Sequence, residues 1–241
     1  MRQLEYEHDY ASTETYGLFS IVPMTVSPIR RRRNCSIAAL AIAVCCATLH
    51  AADYLPARLF SGGIPQPPVN SIGWIESVVD LEVNARGAIV KATALRGTPG
   101  AFEFIEPFLR NWTFRAATDG NDSVASHVLV GMLMRPPQLL DPAAGQPSAD
   151  LAPASDAVPY PTSMARPVYP ANTIGDRAVL VELVVAADGT VERAGIVGSP
   201  SSFDSAALTA ARAWTFRAPR YKGQPVPGAA YLILGFRAPV V

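Results

Sequence analysis

Between Arg177 and Val185 the residues Val179, Val181, Leu183 and Val185 fall at every second position, the period of a β-strand with one face against a core. The next stretch, Ala186–Val191, carries Asp188-Gly189 and predicts a hairpin through a tight primed turn into a second strand over Thr190–Gly198. The period then lengthens. Ser201 and Asp204 have the spacing of a capping box, and Ala206, Ala207, Ala210 and Ala211 give a small-residue helix face able to lie close to a sheet. Trp214–Pro219 reads as extended, Tyr221–Gly228 as a turn, and Ala229–Phe236 as a third strand. A helix crossing back over one face of such a sheet makes a two-layer α+β unit.

The same pattern occurs earlier in the chain. Arg110–Ala117 spells Arg-Asn-Trp-Thr-Phe-Arg-Ala-Ala, and Arg212–Pro219 spells Arg-Ala-Trp-Thr-Phe-Arg-Ala-Pro, 102 residues later. That offset aligns Ile72–Pro137 with Ile174–Pro239 without a gap, matching Val79, Leu81 and Val83 to Val181, Leu183 and Val185, and Gly87 to Gly189. It also matches Val124 to Val226 and Arg135 to Arg237. A fixed period of this kind is the mark of a duplicated unit. The expected fold is therefore α+β, with two tandem two-layer domains, each a three-stranded antiparallel sheet with a helix on one face. In the first copy Glu76, Asp80 and Glu82 occupy the face opposite the apolar residues, so that face is expected to meet water. Phe104, Ile105, Phe108 and Leu109 stand where the second copy has its alanines, and Pro107 is expected to shorten or shift the helix. Arg86-Gly87 is a weaker hairpin signal than Asp188-Gly189, and His127–Met134 is the matching third strand.

Composition sets the borders. With 20 basic and 20 acidic residues the net charge is zero, and no basic stripe points to nucleic acid. Arg30–Arg33, the apolar run Cys35–Leu49 and Ala51 or Ala52 form the three regions of an export signal. The run is marginal as a membrane span, so residues 24–52 read as a signal peptide or a signal anchor. Residues 1–23 read as a mis-called or disordered extension, with Met24 the start that suits the signal. Residues 53–136 and 165–241 then hold the two domains. Residues 137–164, rich in Pro, Ala, Ser and Asp, read as a semi-extended linker that lets them act apart. All three cysteines lie in the signal segment, and a chain cut there keeps His127 alone among its histidines. Thiolate chemistry and Cys-ligated zinc are then excluded, and no cofactor is expected.

The second copy resembles the C-terminal domain of TonB-type energy transducers. The resemblance rests on Pro167, Tyr169 and Pro170, on Gly175, on Asp188-Gly189, on Phe203-Asp204 with Ala206-Ala207, on Arg212, Trp214 and Phe216, and on Lys222–Val226. The first copy is a diverged version that keeps Gly87, Trp112 and Phe114. The resemblance implies an envelope protein of the periplasm that supports transmembrane transport. It would dock extended segments of outer-membrane receptors, or of other envelope proteins, by adding them to a free sheet edge. It implies contact at Arg166, Pro167, Tyr169 and Pro170 and along Tyr231, Leu232, Ile233, Leu234 and Phe236. If the chain stays anchored in the inner membrane, an ExbB–ExbD-type motor is a further partner. Three departures bear on that coupling, one being that no spacer separates the apolar segment from the first domain, whose first strand begins near Ile75. Arg166-Pro-Val-Tyr-Pro170 replaces the transducers' Gln-Pro-Gln-Tyr-Pro, and the apolar segment lacks their serine and histidine four apart. The alternative is a non-energised structural or adaptor protein of the periplasm whose duplicated fold pairs strand edge to strand edge, within the chain or as a homo-oligomer.

Other candidates weigh toward architecture. The Trp-x-Phe pairs read as core packing, Arg110, Arg115, Arg212 and Arg217 as edge residues with packed stems, and His127 as an ordinary strand-end residue rather than a metal ligand. Tyr169-Pro170 is either the contact or a rigid lead-in turn. Gly198–Ser202 has no Gly-x-Ser-x-Gly pattern and no histidine partner, and Asp188, Glu182 and Glu192 form no repeated acid pair, so no enzymatic activity is expected.

Overall fold

A computed structural model describes residues 53–67, 74–134 and 148–238. All described residues belong to one compact unit. The expectations for residues 1–23 and 24–52 lie outside the described residues, as does the linker over 137–147.

The first half runs β1 (Tyr54–Leu55), β2 (Arg58–Ser61), β3 (Ile75–Val83), β4 (Ile89–Gly97), α1 (Ala101–Leu109), β5 (Thr113–Arg115), β6 (Ala117–Asp119), β7 (Asp122–Val124) and β8 (Ser126–Met134). The second runs β9 (Ala149–Asp150), β10 (Tyr160–Ser163), β11 (Arg177–Val185), β12 (Val191–Val197), α2 (Asp204–Arg212), β13 (Thr215–Arg217), β14 (Arg220–Tyr221), β15 (Gln224–Pro225) and β16 (Gly228–Phe236). In place of two separate three-stranded sheets there is one seven-stranded sheet, in the order β12-β11-β16-β8-β3-β4-β9. The seam is the parallel pairing of β8 with β16, from Val128 beside Ala229 to Met134 beside Gly235.

The helices lie on opposite faces of this sheet. Ile105 and Leu109 of α1 share a core with Val79, Leu81, Val130, Met132, Leu180, Tyr231 and Ile233. Ala207 and Ala211 of α2 share the other with Val181, Leu183, Leu129, Leu133, Leu232 and Leu234. This follows from pairing equivalent strands in parallel. A half-turn about an axis along the strands keeps their direction and exchanges the faces. Side-by-side residues in a sheet share a face, so equivalent residues cannot be neighbours across the seam. Ala229 corresponds to His127 in the repeat and sits beside Val128, one residue on.

Each half sends an arm over the other. β2 pairs with β5 and β10 with β13 in the same register, Arg58 opposite Arg115 and Tyr160 opposite Arg217. The Trp112 indole donates to the Gly63 carbonyl at 2.8 Å, and Trp214 donates to Ala165 at 3.0 Å. The stretch read as a linker is thus part of the fold from residue 148 onward. Val158 and Pro159 are buried and β9 pairs with β4, because an extended Pro-rich segment satisfies a sheet edge as readily as it spans solvent. The face of Glu76, Asp80 and Glu82 does not simply meet water: the second half's arm crosses it, and Asp80 is buried.

Local differences have local causes. Both hairpins turn through four residues closed by the glycine N–H on the carbonyl three back, Gly87 to Asn84 and Gly189 to Ala186, each at 2.9 Å. Only the glycine takes a positive φ, 80° and 89° respectively, so the turn is a type I turn with a glycine bulge rather than a primed turn. Pro107 does not shorten α1: both helices have nine residues, and α1 starts one position earlier in the repeat frame. The Asp204 carboxylate accepts from the Ser201 N–H at 2.9 Å and from its hydroxyl, so the Ser201 side chain does not cap a helix N–H as the capping box requires.

Candidate docking surface

The strand expected to offer a free edge is interior. β16 is antiparallel to β11 along its whole length, Arg177 opposite Phe236 and Val185 opposite Gly228, and β8 occupies its other side. Tyr231, Leu232, Ile233, Leu234 and Phe236 are all buried. Apolar strands with hydrophobic residues on both faces need cover on both faces and on both edges, and the first half supplies it.

Tyr231 is the polar pin of that contact. Its hydroxyl donates to Glu182 Oε1 at 2.8 Å and accepts the Leu59 N–H at 2.7 Å, while Arg58 Nε lies 3.3 Å from the same carboxylate oxygen. Trp112 and Phe114 pack edge-on against its ring, with centroids 5.8 and 5.9 Å away. Burial pushes the phenol pKa far above its ordinary value. Replacing Tyr231 by Phe keeps the ring but leaves the Leu59 N–H and the carboxylate short of a partner. We expect a loss of about 1–3 kcal/mol in urea unfolding.

The Tyr-Pro segment forms the turn that leads into β11. The Tyr169 hydroxyl donates to the carbonyls of Thr173 at 3.2 Å and Gly175 at 2.9 Å, closing the turn before β11. Its ring meets Phe203 at 5.6 Å, and Phe203 in turn meets Phe236 at 5.0 Å. Pro167 is buried, and the Arg166 guanidinium lies 5.0 Å from the Trp74 ring in the first half. Pro170 is half-buried. Of the sequence-predicted contact residues, Tyr231–Phe236 lie inside the sheet, whereas Arg166 is exposed and Tyr169 and Pro170 are half-buried.

His127 is a paired residue. Its Nδ1 lies 2.9 Å from both oxygens of buried Asp80. That hydrogen bond raises its pKa from the ordinary 6.5 against the opposing effect of burial. A raised folded-state pKa gives stability that is full below the unfolded value and lost as pH rises through the folded one. His127→Gln is thus expected to cost most at about pH 5 and least at about pH 8, measured by urea unfolding at both. Among the described residues no three His, Cys, Asp or Glu side chains gather as a metal site.

Residues 165–237 match the family model for the Gram-negative bacterial TonB protein C-terminal region. The match covers the second half from the end of its arm through β16 and supports a TonB-like role in transmembrane transport for that half. Neither a curated protein nor a solved structure matches the chain. TonB proteins are envelope-associated, and among the described residues no helix is long and apolar enough to cross a membrane.

The arms were missed in the sequence. Pro65 and Pro68 align with Pro167 and Pro170 in the 102-residue frame, a signal that carries the repeat back past Ile72. Arg58, Leu59 and Glu182 gave none. They matter through a contact between residues more than 120 positions apart.

Proposed function

We propose that this protein is a non-energised, TonB-like adaptor of the periplasm, supporting transmembrane transport with two TonB C-terminal-like units closed on each other. The observation that carries this reading is the β8–β16 pairing, which occupies the edge where a third strand would otherwise take up an extended receptor segment. The first half, with its own arm, tryptophan and turn glycine at matching positions, acts as the permanent partner of the second. Among the described residues, such a closed pair has its remaining free edges at the outside of the sheet, on β12 and along much of β4. Export through the signal of residues 24–52 suits this role, whether that segment is cut or kept as an anchor.

The test is a titration of the isotopically labelled protein with synthetic peptides of the extended N-terminal segments of outer-membrane receptors, followed by amide NMR. The expected result is that β16 resonances stay in place at every peptide concentration. Displacement of β8 by the peptide, seen as shifts along both β8 and β16, would return the chain to third-strand docking and overturn the adaptor reading.

A further inference from the structure

The two arms are counterparts in the repeat, yet they differ in what they leave exposed. The first carries Leu55, Arg58 and Phe60 where the second carries Ala157, Tyr160 and Thr162. Phe60 falls at the register shift between Leu59 and Ser61, so it has no partner on β5 and its side chain is 69% exposed. Leu55 is 65% exposed. At the matching shift in the second arm stands Thr162, whose hydroxyl lies 2.9 Å from that of Thr215. A polar residue thus serves this bulge in one half, and the fold does not require a phenylalanine there in the other.

Single exposed apolar residues are common on proteins, but these two share one setting. A cleft of about 570 Å³ runs between the first arm and the β11–β12 hairpin, with Leu55, Pro56, Arg58, Arg115, Val184 and Arg193 in its lining. The Arg115 guanidinium lies 5.9 Å from the centre of the Phe60 ring, which joins that ring to the cleft. Two acids also line it, Glu182 and Glu192, and Glu182 is already held by Tyr231 and Arg58. Arg115 and Arg193, both exposed, then stand against Glu192 alone. Apolar side chains beside a rim of net positive charge suit a surface that meets anionic lipid headgroups. The position of the arm in the chain favours the same occupant. The apolar run Cys35–Leu49 ends five residues before Tyr54, no more than about 17 Å even when fully extended. A chain that keeps this run as an anchor holds its first arm within reach of the headgroups, while the second arm follows 102 residues later. Such a tether makes the contact intramolecular, so a weak patch is enough.

We propose that the first arm of the anchored chain rests on an anionic membrane surface, with Leu55 and Phe60 at the acyl boundary and Arg58, Arg115 and Arg193 among the headgroups. The inference rests on the anchored form of the export segment, and it goes beyond the adaptor reading by fixing which side of the closed pair faces the membrane. β9, at the opposite edge of the sheet, then faces away from the lipid, and its neighbour Leu151, 57% exposed, serves as the reference.

The test uses the full isotopically labelled chain with nanodiscs of equal parts phosphatidylglycerol and phosphatidylcholine, carrying a paramagnetic label on the lipid headgroup, followed by amide NMR. The expected result is line broadening concentrated at Leu55, Phe60 and Arg193 and absent at Leu151. Discs of phosphatidylcholine alone should lose the pattern. Arg115→Gln and Arg193→Gln, both at exposed positions, should each lower the ratio of docked to undocked chain about fivefold while leaving the amide shifts of β8 and β16 in place. Equal broadening at Leu55, Phe60 and Leu151, or none at all, would overturn the proposal. So would arm amides shielded from a soluble paramagnetic reagent before lipid is added, because residues 45–52 or a second copy of the chain would then cover the cleft. None of these outcomes involves β16, whose response to receptor peptides decides the adaptor reading, so the two failures are distinguishable.

Discussion

Replacing Trp214 by Ala is expected to lower the unfolding free energy by about 3–5 kcal/mol. The indole is almost wholly buried, and its N–H is the bond that holds the second half's arm at Ala165. Its six-membered ring reaches across the seam: a Cβ at Gly131 of β8 would lie only 3.0 and 3.1 Å from two of its carbons. Removing the ring leaves a cavity shared by both halves and a carbonyl without its donor. The seam makes a further expectation possible. Because β8 and β16 belong to one sheet, urea unfolding of the variant should show one transition, at a lower midpoint, for probes in either half. Two separate transitions, with the first half unaffected, would fit two independent domains and contradict the shared core.

The second large effect is at Gly189. Its φ is 89°, and a Cβ there would lie 2.0 Å from the Phe216 carbonyl oxygen, a backbone atom already fixed by the Phe216 N–H bond to the Gly189 carbonyl at 3.0 Å. Neither partner can move without breaking the hairpin or unseating β13. Gly189→Ala is therefore expected to cost more than about 3 kcal/mol, the upper range for conformational strain alone. Gly175 provides the comparison. Its φ is 87° with nothing within 4 Å of the position a Cβ would take, so Gly175→Ala should show only the strain of a left-handed residue, about 1–2 kcal/mol. Equal losses at the two positions, by thermal or urea unfolding, would mean that the contact with Phe216 contributes nothing.

Gly87 repeats this geometry against Phe114, with a Cβ position 1.8 Å from the carbonyl oxygen. The doubled Arg-x-Trp-Thr-Phe-Arg-Ala stretch is thereby explained. Its Trp ties down an arm, its Thr and second Arg pair with that arm, and its Phe backbone docks on the turn glycine.

Strand and helix positions were legible because they rest on local periodicity. Val179–Val185 alternates, the alanines of α2 share a face, and the 102-residue offset aligns the halves. What was not legible is the partner of each edge. The alternation of β16 says that both faces are apolar, Tyr231 and Ile233 on one and Leu232 and Leu234 on the other, but not which strand lies alongside. That alternation on both faces was the available clue, since a two-layer unit needs only one apolar face. The Pro-rich stretch misled for a related reason. Pro159 and Pro161 suit an extended linker and an arm laid across a sheet equally well, and the burial of Val158, Pro159 and Pro161 separates the two.

The central claim is the seam between β8 and β16, and cross-strand nuclear Overhauser contacts test it most directly. In the parallel register Val128 lies beside Ala229, Val130 beside Tyr231 and Met132 beside Ile233. Backbone contacts between these pairs are expected, with slow amide exchange along β16. Rapid exchange on one side of β16, with no contacts to β8, would contradict the seam.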